Sequence, residues 1–367
     1  MSGLGLEFEP DDHHEPSGNR ARLLLVVGIC IVLLLTVLGV AAKIGGHRLV
    51  GLLGPAADYN GNGSGSVTVT INPNASAARI GQALKDAGVV RSVQAFRDAA
   101  DANPRSQSIQ PGVYKLHKHM AADRALALLL DPGSRVFLRV VVPEGTRLSR
   151  IIQLIHAEAA IPTSDLNAAA HNVGALGLPA YAKGSLEGFL FPATYNFAPG
   201  TTAQQALKAM VDRFNQEATN DNLEKGAAAL GYSPYDVVTV ASLIEKEARL
   251  QKDYGKVARV AYNRLKPSWG QPFGFDSTLN YLLPERQGKL QSGDFQIDSP
   301  YNSRIHHGLP PTPIDSPGRA ALMAALHPTA GPWLYFVTID KAGNTAFETT
   351  KAQFDKDVRT SRANGVS

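Results

Sequence analysis

Leu186-Glu187-Gly188-Phe189-Leu190-Phe191-Pro192-Ala193-Thr194-Tyr195-Asn196-Phe197 sets one carboxylate at the head of an almost wholly apolar and aromatic run. A Glu in apolar surroundings is expensive to ionise, so its pKa rises. A carboxylic acid that keeps its proton near neutral pH can protonate a leaving group, which general acid catalysis requires. The structural alternative is a strand that opens on a solvated Glu and buries its aromatic residues.

Downstream, residues 201–265 read as mainly helical. Ser233-Pro234 opens a helix with a cap and an N1 proline. Val237, Val240, Ala241, Ile244 and Ala248 form its apolar stripe, and Glu245 and Glu247 flank that stripe on either side. Asp276 lies in a mostly apolar setting and either orients a substrate or caps the next turn. A proline-rich loop, residues 299–314, offers Tyr301, Asn302 and Arg304 for hydrogen bonding and ring stacking. Ser316-Pro317 is then expected to cap a helix ending at His327-Pro328. Residues 333–339 and 345–349 read as a hairpin.

Upstream, residues 67–72 align with 138–143, and Arg79, Ile80, Gln82 and Leu84 align with Arg150, Ile151, Gln153 and Ile155. Each copy reads as strand, turn and amphipathic helix, with Asn74-Ala75-Ser76 and Glu144-Gly145-Thr146 supplying the turn and cap. This beginning resembles LysM-like modules, which bind N-acetylglucosamine polymers. Residues 43–66 are Gly-, Asn- and Ser-rich and read as a flexible tether. Residues 23–42 carry no charge and are long enough to cross a bilayer as a helix. The acidic residues 1–22 before them read as a cytoplasmic tail, and a signal anchor of this form places the C-terminal domain outside the membrane.

The chain of 367 residues is 44% hydrophobic and 19% charged, enough for two or three domains with substantial cores. A net charge of +4, without a dense basic block, gives no footprint for nucleic acid. The lone Cys30 excludes an intrachain disulfide framework and a Cys-based zinc site. The pairs His117/His119 and His306/His307 have no acidic or Cys partner at ligand spacing, so no metal is expected. There is no nucleophile elbow, P-loop or dinucleotide fingerprint.

Taken in order, the motifs resemble those of the MltG/YceG-like endolytic murein transglycosylases of bacteria, from about residue 67 to about 357. The likeness is carried by the opening stretch, by Ala241-Ser242-Leu243-Ile244-Glu245-Lys246-Glu247-Ala248, and by Asn263-Arg264-Leu265. It continues through Asp276 with Thr278, Ser299-Pro300-Tyr301-Asn302, Gly308-Leu309-Pro310-Pro311 with Pro313-Ile314, Pro317-Gly318 and Tyr335-Phe336-Val337. Ala193 stands where the family usually has an acidic residue, and Gly343-Asn344-Thr345-Ala346-Phe347 replaces a Gly-x-His-x-Phe pattern.

The resemblance implies an α+β protein with an N-terminal transmembrane helix (23–42), a LysM-like α/β subdomain (67–165) and a mixed α/β catalytic domain (166–367). It implies a membrane-anchored, extracytoplasmic enzyme that cleaves the MurNAc–GlcNAc β-1,4 bond of nascent peptidoglycan strands. The products would carry 1,6-anhydro-MurNAc ends, and cleavage would end strand elongation. Glu187 maps onto the family's catalytic acid. Candidate substrate-binding residues are Phe189, Phe191, Tyr195, Glu245, Glu247, Asn263, Asp276, Tyr301 and Asn302. Strand alternation would put Glu187, Phe189 and Phe191 on one face, with Phe189, Phe191 and Tyr195 raising the acid's pKa and supporting the sugar. Expected partners are peptidoglycan glycan strands, cell-wall synthases and the lipid bilayer through 23–42, with no nucleic acid and no cofactor. Two other readings stay open: a non-catalytic, membrane-tethered glycan-binding scaffold, and a hydrolytic muramidase with Glu245 or Glu247 as second carboxylate.

Overall fold

The computed structural model describes residues 56–284 and 289–366. The expected tail (1–22), membrane segment (23–42) and first part of the tether (43–55) lie outside the described residues. The chain divides into two compact units between Arg135 and Val136. Both mix helices with short antiparallel strand pairs, so the fold is α+β.

The first unit runs β1 (Ser64–Ile71), α1 (Ala77–Asp86), α2 (Val93–Ala102), β2 (Gly112–Lys118) and α3 (Ala122–Leu130). β1 and β2 pair antiparallel, with Val67 opposite Leu116 and Ile71 opposite Gly112. Alternation along β1 sends Val69 and Ile71 inward, where they meet Leu84, Phe96 and Leu126. Ser76 and Ser92 cap α1 and α2 by accepting the N–H groups of Arg79 and Ala95.

The described end of the expected tether is not free chain. Ala56 packs on this core, the Ala57 carbonyl accepts from Ser92 Oγ at 2.8 Å, and β1 already starts at Ser64. Asp58 caps α3 by accepting the Ala122 N–H at 3.0 Å. Hydrogen-bonding demand at a helix start outweighs the flexibility of a Gly/Ser-rich composition.

The second unit contains β3 (Leu138–Val141), α4 (Leu148–Ala159), α5 (Thr163–His171), β4 (Thr194–Phe197), α6 (Ala203–Asn220) and α7 (Leu223–Leu230). It continues with α8 (Pro234–Glu247), α9 (Tyr254–Arg264), α10 (Asp276–Leu282), α11 (Arg319–Leu326), β5 (Tyr335–Thr338), β6 (Thr345–Glu348) and α12 (Lys351–Ala363). The second strand–helix copy, β3–α4, belongs to this unit, so the division falls earlier than a boundary at 165. The reason is pairing: Val140 of β3 faces Tyr195 of β4, and Ile151 and Ile155 of α4 join the same core. The positions equivalent in the first copy, Ile80 and Leu84, are buried in the other unit's core.

Two cores fill the second unit. One gathers β3, α4, β4 and α6; the other surrounds α8. Ser233 starts α8 with a reciprocal capping box to Asp236 and Pro234 at N1. Its expected stripe is buried, but so are Val238, Thr239, Ser242 and Leu243. α8 is therefore the central helix of this core and not an amphipathic surface helix. The hairpin forms as β5–β6, with Phe336 opposite Phe347. Ser316 does not cap the next helix. It is bridged to Thr146, and Gly318 is the N-cap of α11.

Candidate active site

Residues 186–193 form no strand; the extended segment begins only at Thr194. Leu186 to Phe189 close a turn, with the Phe189 N–H donating to the Leu186 carbonyl at 2.9 Å. Gly188 makes the turn feasible with φ +89°, and it lies tight against Pro313. The segment stitches the two cores together: Leu186 and Leu190 enter one, Phe189 and Phe191 the other. Glu187 lies at that seam and is only 7% exposed.

Its carboxylate is held at both oxygens. Oε1 accepts the N–H of Leu148, the first residue of α4, at 2.9 Å. That is an orphan donor of a helix N-terminus, where the helix dipole favours negative charge. Thr146, expected to cap this helix, instead donates its hydroxyl to the Pro143 carbonyl. Oε2 accepts from the Tyr281 hydroxyl at 3.1 Å. Arg147 fixes Tyr281 in turn: its guanidinium donates to the carbonyls of Asn280 (2.6 Å) and Tyr281 (3.2 Å) and lies 5.0 Å from the Tyr281 ring centre. Burial pushes the Glu187 pKa up, and the two hydrogen bonds with the nearby charges of Arg147 and Lys246 pull partly back. Glu187 thus keeps its proton to higher pH than a free Glu, while the ionised form has donors already in place.

Lys246 comes from the last turn of α8. Its Nζ donates to the Gly145 carbonyl at 2.5 Å and stands 3.8 Å from Asp315. Asp315 is wholly buried, and neither oxygen accepts a hydrogen bond from the described residues. Burial, with Glu245 and Glu187 nearby, holds its carboxyl well above the usual range against the pull of Lys246 and Arg147.

Glu245 accepts the Gly318 N–H and the Tyr254 hydroxyl, both at 3.1 Å. Glu247 accepts the Ser277 N–H at 3.0 Å. Burial raises both acids. Asp276 is bound by Arg304 at 2.6 and 2.7 Å. A cavity of about 140 Å³ lies among Arg147, Lys246, Glu247, Asp276 and Asn280. A larger one of about 420 Å³ shares Glu247 and Asp276 with it and runs on to Trp269 and Tyr335. Tyr301 joins the site through its ring, 5.1 Å from Tyr281, and its hydroxyl meets Thr312 Oγ1 at 2.8 Å.

Other expected contacts are displaced. Phe189 is fully buried between Phe214 and Tyr235, so it offers no face to a sugar. Phe191 and Tyr195 are also buried, and the Tyr195 hydroxyl donates to the Phe191 carbonyl. Because the segment turns, the alternation that would aim these rings at a ligand never forms. Asn263 donates to the carbonyls of Gly331 and Trp333, and Asn302 to those of Phe295 and Ile297. These two residues brace loops. Among the described residues no group of three or more His, Cys, Asp or Glu side chains is placed to hold a metal ion.

The model of the YceG-like family matches residues 69–360, spanning both units. The chain belongs to the YceG-like family. It is 30% identical over 298 residues to the endolytic murein transglycosylase of Bacillus subtilis (strain 168), covering 77% of this chain and 81% of that one. It is 29% identical over 316 residues to that of Streptococcus pneumoniae serotype 2 (strain D39 / NCTC 7466), covering 76% of this chain and 55%, about half, of the relative. A crystal structure of a yceG-like protein from Listeria monocytogenes superposes with a TM-score of 0.54 and 27% identity, over 80% of this chain and 99% of that one. In this YceG-like chain the residues sequence reasoning missed are Arg147, Lys246, Tyr281 and Asp315. Each adjoins or lies within a sequence motif: Arg147 follows the second repeat's turn, Lys246 lies between Glu245 and Glu247, Tyr281 is on the helix begun by Asp276, and Asp315 follows Pro313-Ile314.

Proposed function

We propose that this chain is a membrane-anchored endolytic lytic transglycosylase that cuts the MurNAc–GlcNAc β-1,4 bond within nascent peptidoglycan strands. Lytic transglycosylase activity follows from family membership and from relatives named endolytic murein transglycosylase. The observation that carries the mechanism is the buried Glu187, held at both oxygens by donors yet shifted toward its protonated form.

In the reaction, Glu187 gives its proton to the glycosidic oxygen as the C1–O bond breaks. The C6 hydroxyl oxygen of the same MurNAc ring then bonds to C1, and its proton passes to the Glu187 carboxylate. The acid is regenerated and the product ends in 1,6-anhydro-MurNAc. Because the nucleophile belongs to the substrate, the step is intramolecular and gains from proximity. No second carboxylate is needed to activate water, unlike hydrolytic glycosidases. While ionised, Glu187 is stabilised by the Leu148 N–H, the Tyr281 hydroxyl and the α4 N-terminus.

Residues 23–42 would anchor the chain, with the tail 1–22 cytoplasmic and both described units outside the cell membrane, close to the cell-wall synthases whose strands it shortens. The first unit's strand–helix–helix–strand order with an antiparallel pair supports a LysM-like role in holding glycan.

The test is product analysis on uncrosslinked nascent strands. Mass spectrometry should show 1,6-anhydro-MurNAc ends from the parent chain. Glu187→Gln should remain folded and lose at least about 10²-fold in rate, the lower end of what a general acid supplies. Full activity of that variant, or reducing ends made by water, would overturn the proposal.

A further inference from the structure

The larger cavity is not explained by the acid itself. Its walls come from the chain after α9, the hairpin and α12, and it meets the smaller cavity at Glu247 and Asp276. Four half-buried rings, Trp269, Tyr335, Phe336 and Phe354, line it, and Trp269 meets Tyr335 edge to face at 5.5 Å. At about 420 Å³ it falls within the range of small-ligand pockets, roughly 300–1,000 Å³.

A peptidoglycan strand offers two kinds of group to such a cavity: neutral N-acetylhexosamine rings, and stem peptides rich in carboxylates. The charges decide between them. Three cations line the cavity, and each already has a partner. Arg304 is bound in bidentate fashion by Asp276, and Lys351 pairs with Asp355. Arg264 donates to the carbonyls of Leu334, Phe273 and Gly274 at 2.7–3.0 Å, and its guanidinium lies over Trp269 and Tyr335. A carboxylate entering would compete with Asp276 for Arg304 and with Asp355 for Lys351, and would meet the like charges of Glu247 and Asp276 in the same wall. A neutral sugar would not: it needs flat apolar surface for its C–H face and fixed polar groups for its hydroxyls.

Resting on the function proposed above, we infer that this cavity is a saccharide subsite beyond the cleaved bond. It takes a neutral N-acetylhexosamine ring, with Trp269 as stacking surface, held edge to face by Tyr335, which itself stacks on Phe354, and with Gln271 and the Asp276–Arg304 pair as hydrogen-bonding groups. The subsite reads the sugar backbone of the strand and is indifferent to the stem peptide.

The experiment uses the full chain carrying Glu187→Gln, so that binding is measured without turnover. Calorimetry and intrinsic fluorescence follow titration with chitotetraose, a neutral N-acetylglucosamine tetramer, and separately with a free stem pentapeptide. Chitotetraose should bind with little dependence on salt, at the first unit and at this cavity, and Trp269→Ala should weaken the cavity's component of that binding at least tenfold. Trp269→Phe, which keeps a ring and the packing, should restore most of it, and the pentapeptide should not compete. Chitotetraose affinity unchanged in both Trp269→Ala and Tyr335→Ala would overturn the subsite. So would salt-sensitive pentapeptide binding that is lost with Trp269. Anhydro products from the parent together with unaltered chitotetraose binding would sink the subsite and leave the transglycosylase standing. Trp269-dependent chitotetraose binding in a chain that makes no product would keep the subsite and sink the transglycosylase.

Discussion

Replacing Gly188 with alanine should damage the fold and the acid together. Gly188 sits at φ +89°, where an L side chain costs about 1–2 kcal/mol. The new Cβ would stand 2.5 and 2.6 Å from Cβ and Cγ of Pro313 and 3.2 Å from Cγ1 of Val238. Neither neighbour can swing away: one is a closed ring, and the other is a fully buried residue of α8. Overpacking of this kind costs about 1–3 kcal/mol. The two effects together predict a loss of roughly 2–5 kcal/mol. If the turn yields by about 1 Å, Glu187 moves with it, and a misplacement of that size costs on the order of 10²-fold in rate. Gly318→Ala is the contrasting control. Its Cβ would also overlap a neighbour, the Glu144 carboxylate, but that is the end of a flexible side chain, and Gly318 has an ordinary φ of −75°. Its stability loss should stay under about 1 kcal/mol. Urea unfolding followed by circular dichroism gives the stabilities, and strand cleavage per folded molecule gives the rates. A Gly188→Ala protein within about 0.5 kcal/mol of the parent and cutting strands at full rate would refute the reasoning.

Tyr281→Phe removes one of two donors to the Glu187 carboxylate, so the acid's pKa should rise further and the basic limb of the cleavage pH profile should move to higher pH; an unmoved limb would count against Tyr281 as the residue that tunes the acid. Asp315→Asn should change how stability depends on pH. The folded chain keeps a proton on Asp315 to higher pH than the unfolded chain, which releases it near pH 4, so that contribution is full below about pH 4 and is lost as pH rises through the folded value. The variant should therefore gain on the parent as pH rises, and a constant or shrinking gap in unfolding free energy would contradict this. Asn302→Ala should cost about 2–4 kcal/mol by leaving the Phe295 and Ile297 carbonyls unpaired, with KM for strands unchanged in the folded fraction; a raised KM without loss of stability would make Asn302 a substrate contact after all.

The parts legible in the sequence are those set by neighbours in the chain. Ser233-Pro234 announces α8 because a cap and an N1 proline act within one helical turn. The hairpin is legible because its two strands lie close together in sequence. Glu187 is legible as an unusual acid because its apolar neighbours follow it directly. Its local geometry is not, because alternating large apolar residues describe a strand with one buried face and also a turn that feeds two cores. Only Gly188 hinted at the turn. The partners of Glu187 are invisible for another reason. Leu148 and Tyr281 lie 39 and 94 residues away in the chain, and nothing local marks a backbone N–H or a phenol as belonging to a distant carboxylate. The aromatic residues misled in the same way: a ring that lines a site and a ring that fills a core share one pattern, and only packing separates Phe189 from Trp269.

The placement of the other carboxylates bears on which chemistry a single acid can run. Glu245 is spent on the start of α11 and on Tyr254, and Glu247 on the Ser277 N–H near the start of α10. Asp276 is neutralised by Arg304, and Asp315 is sealed from solvent. A muramidase needs a second carboxylate that can approach the sugar as nucleophile or hold a water there. Each of these four acids would have to abandon a structural partner or a buried position to do so. Glu187 combines a raised pKa with donors that receive its ionised form at the N-terminus of α4, the pairing that service as acid in one step and base in the next requires. A substrate that carries its own nucleophile asks for no more than that. Under the function proposed above, these side chains are engaged as structural partners and the sugar's own hydroxyl takes the place of the activated water.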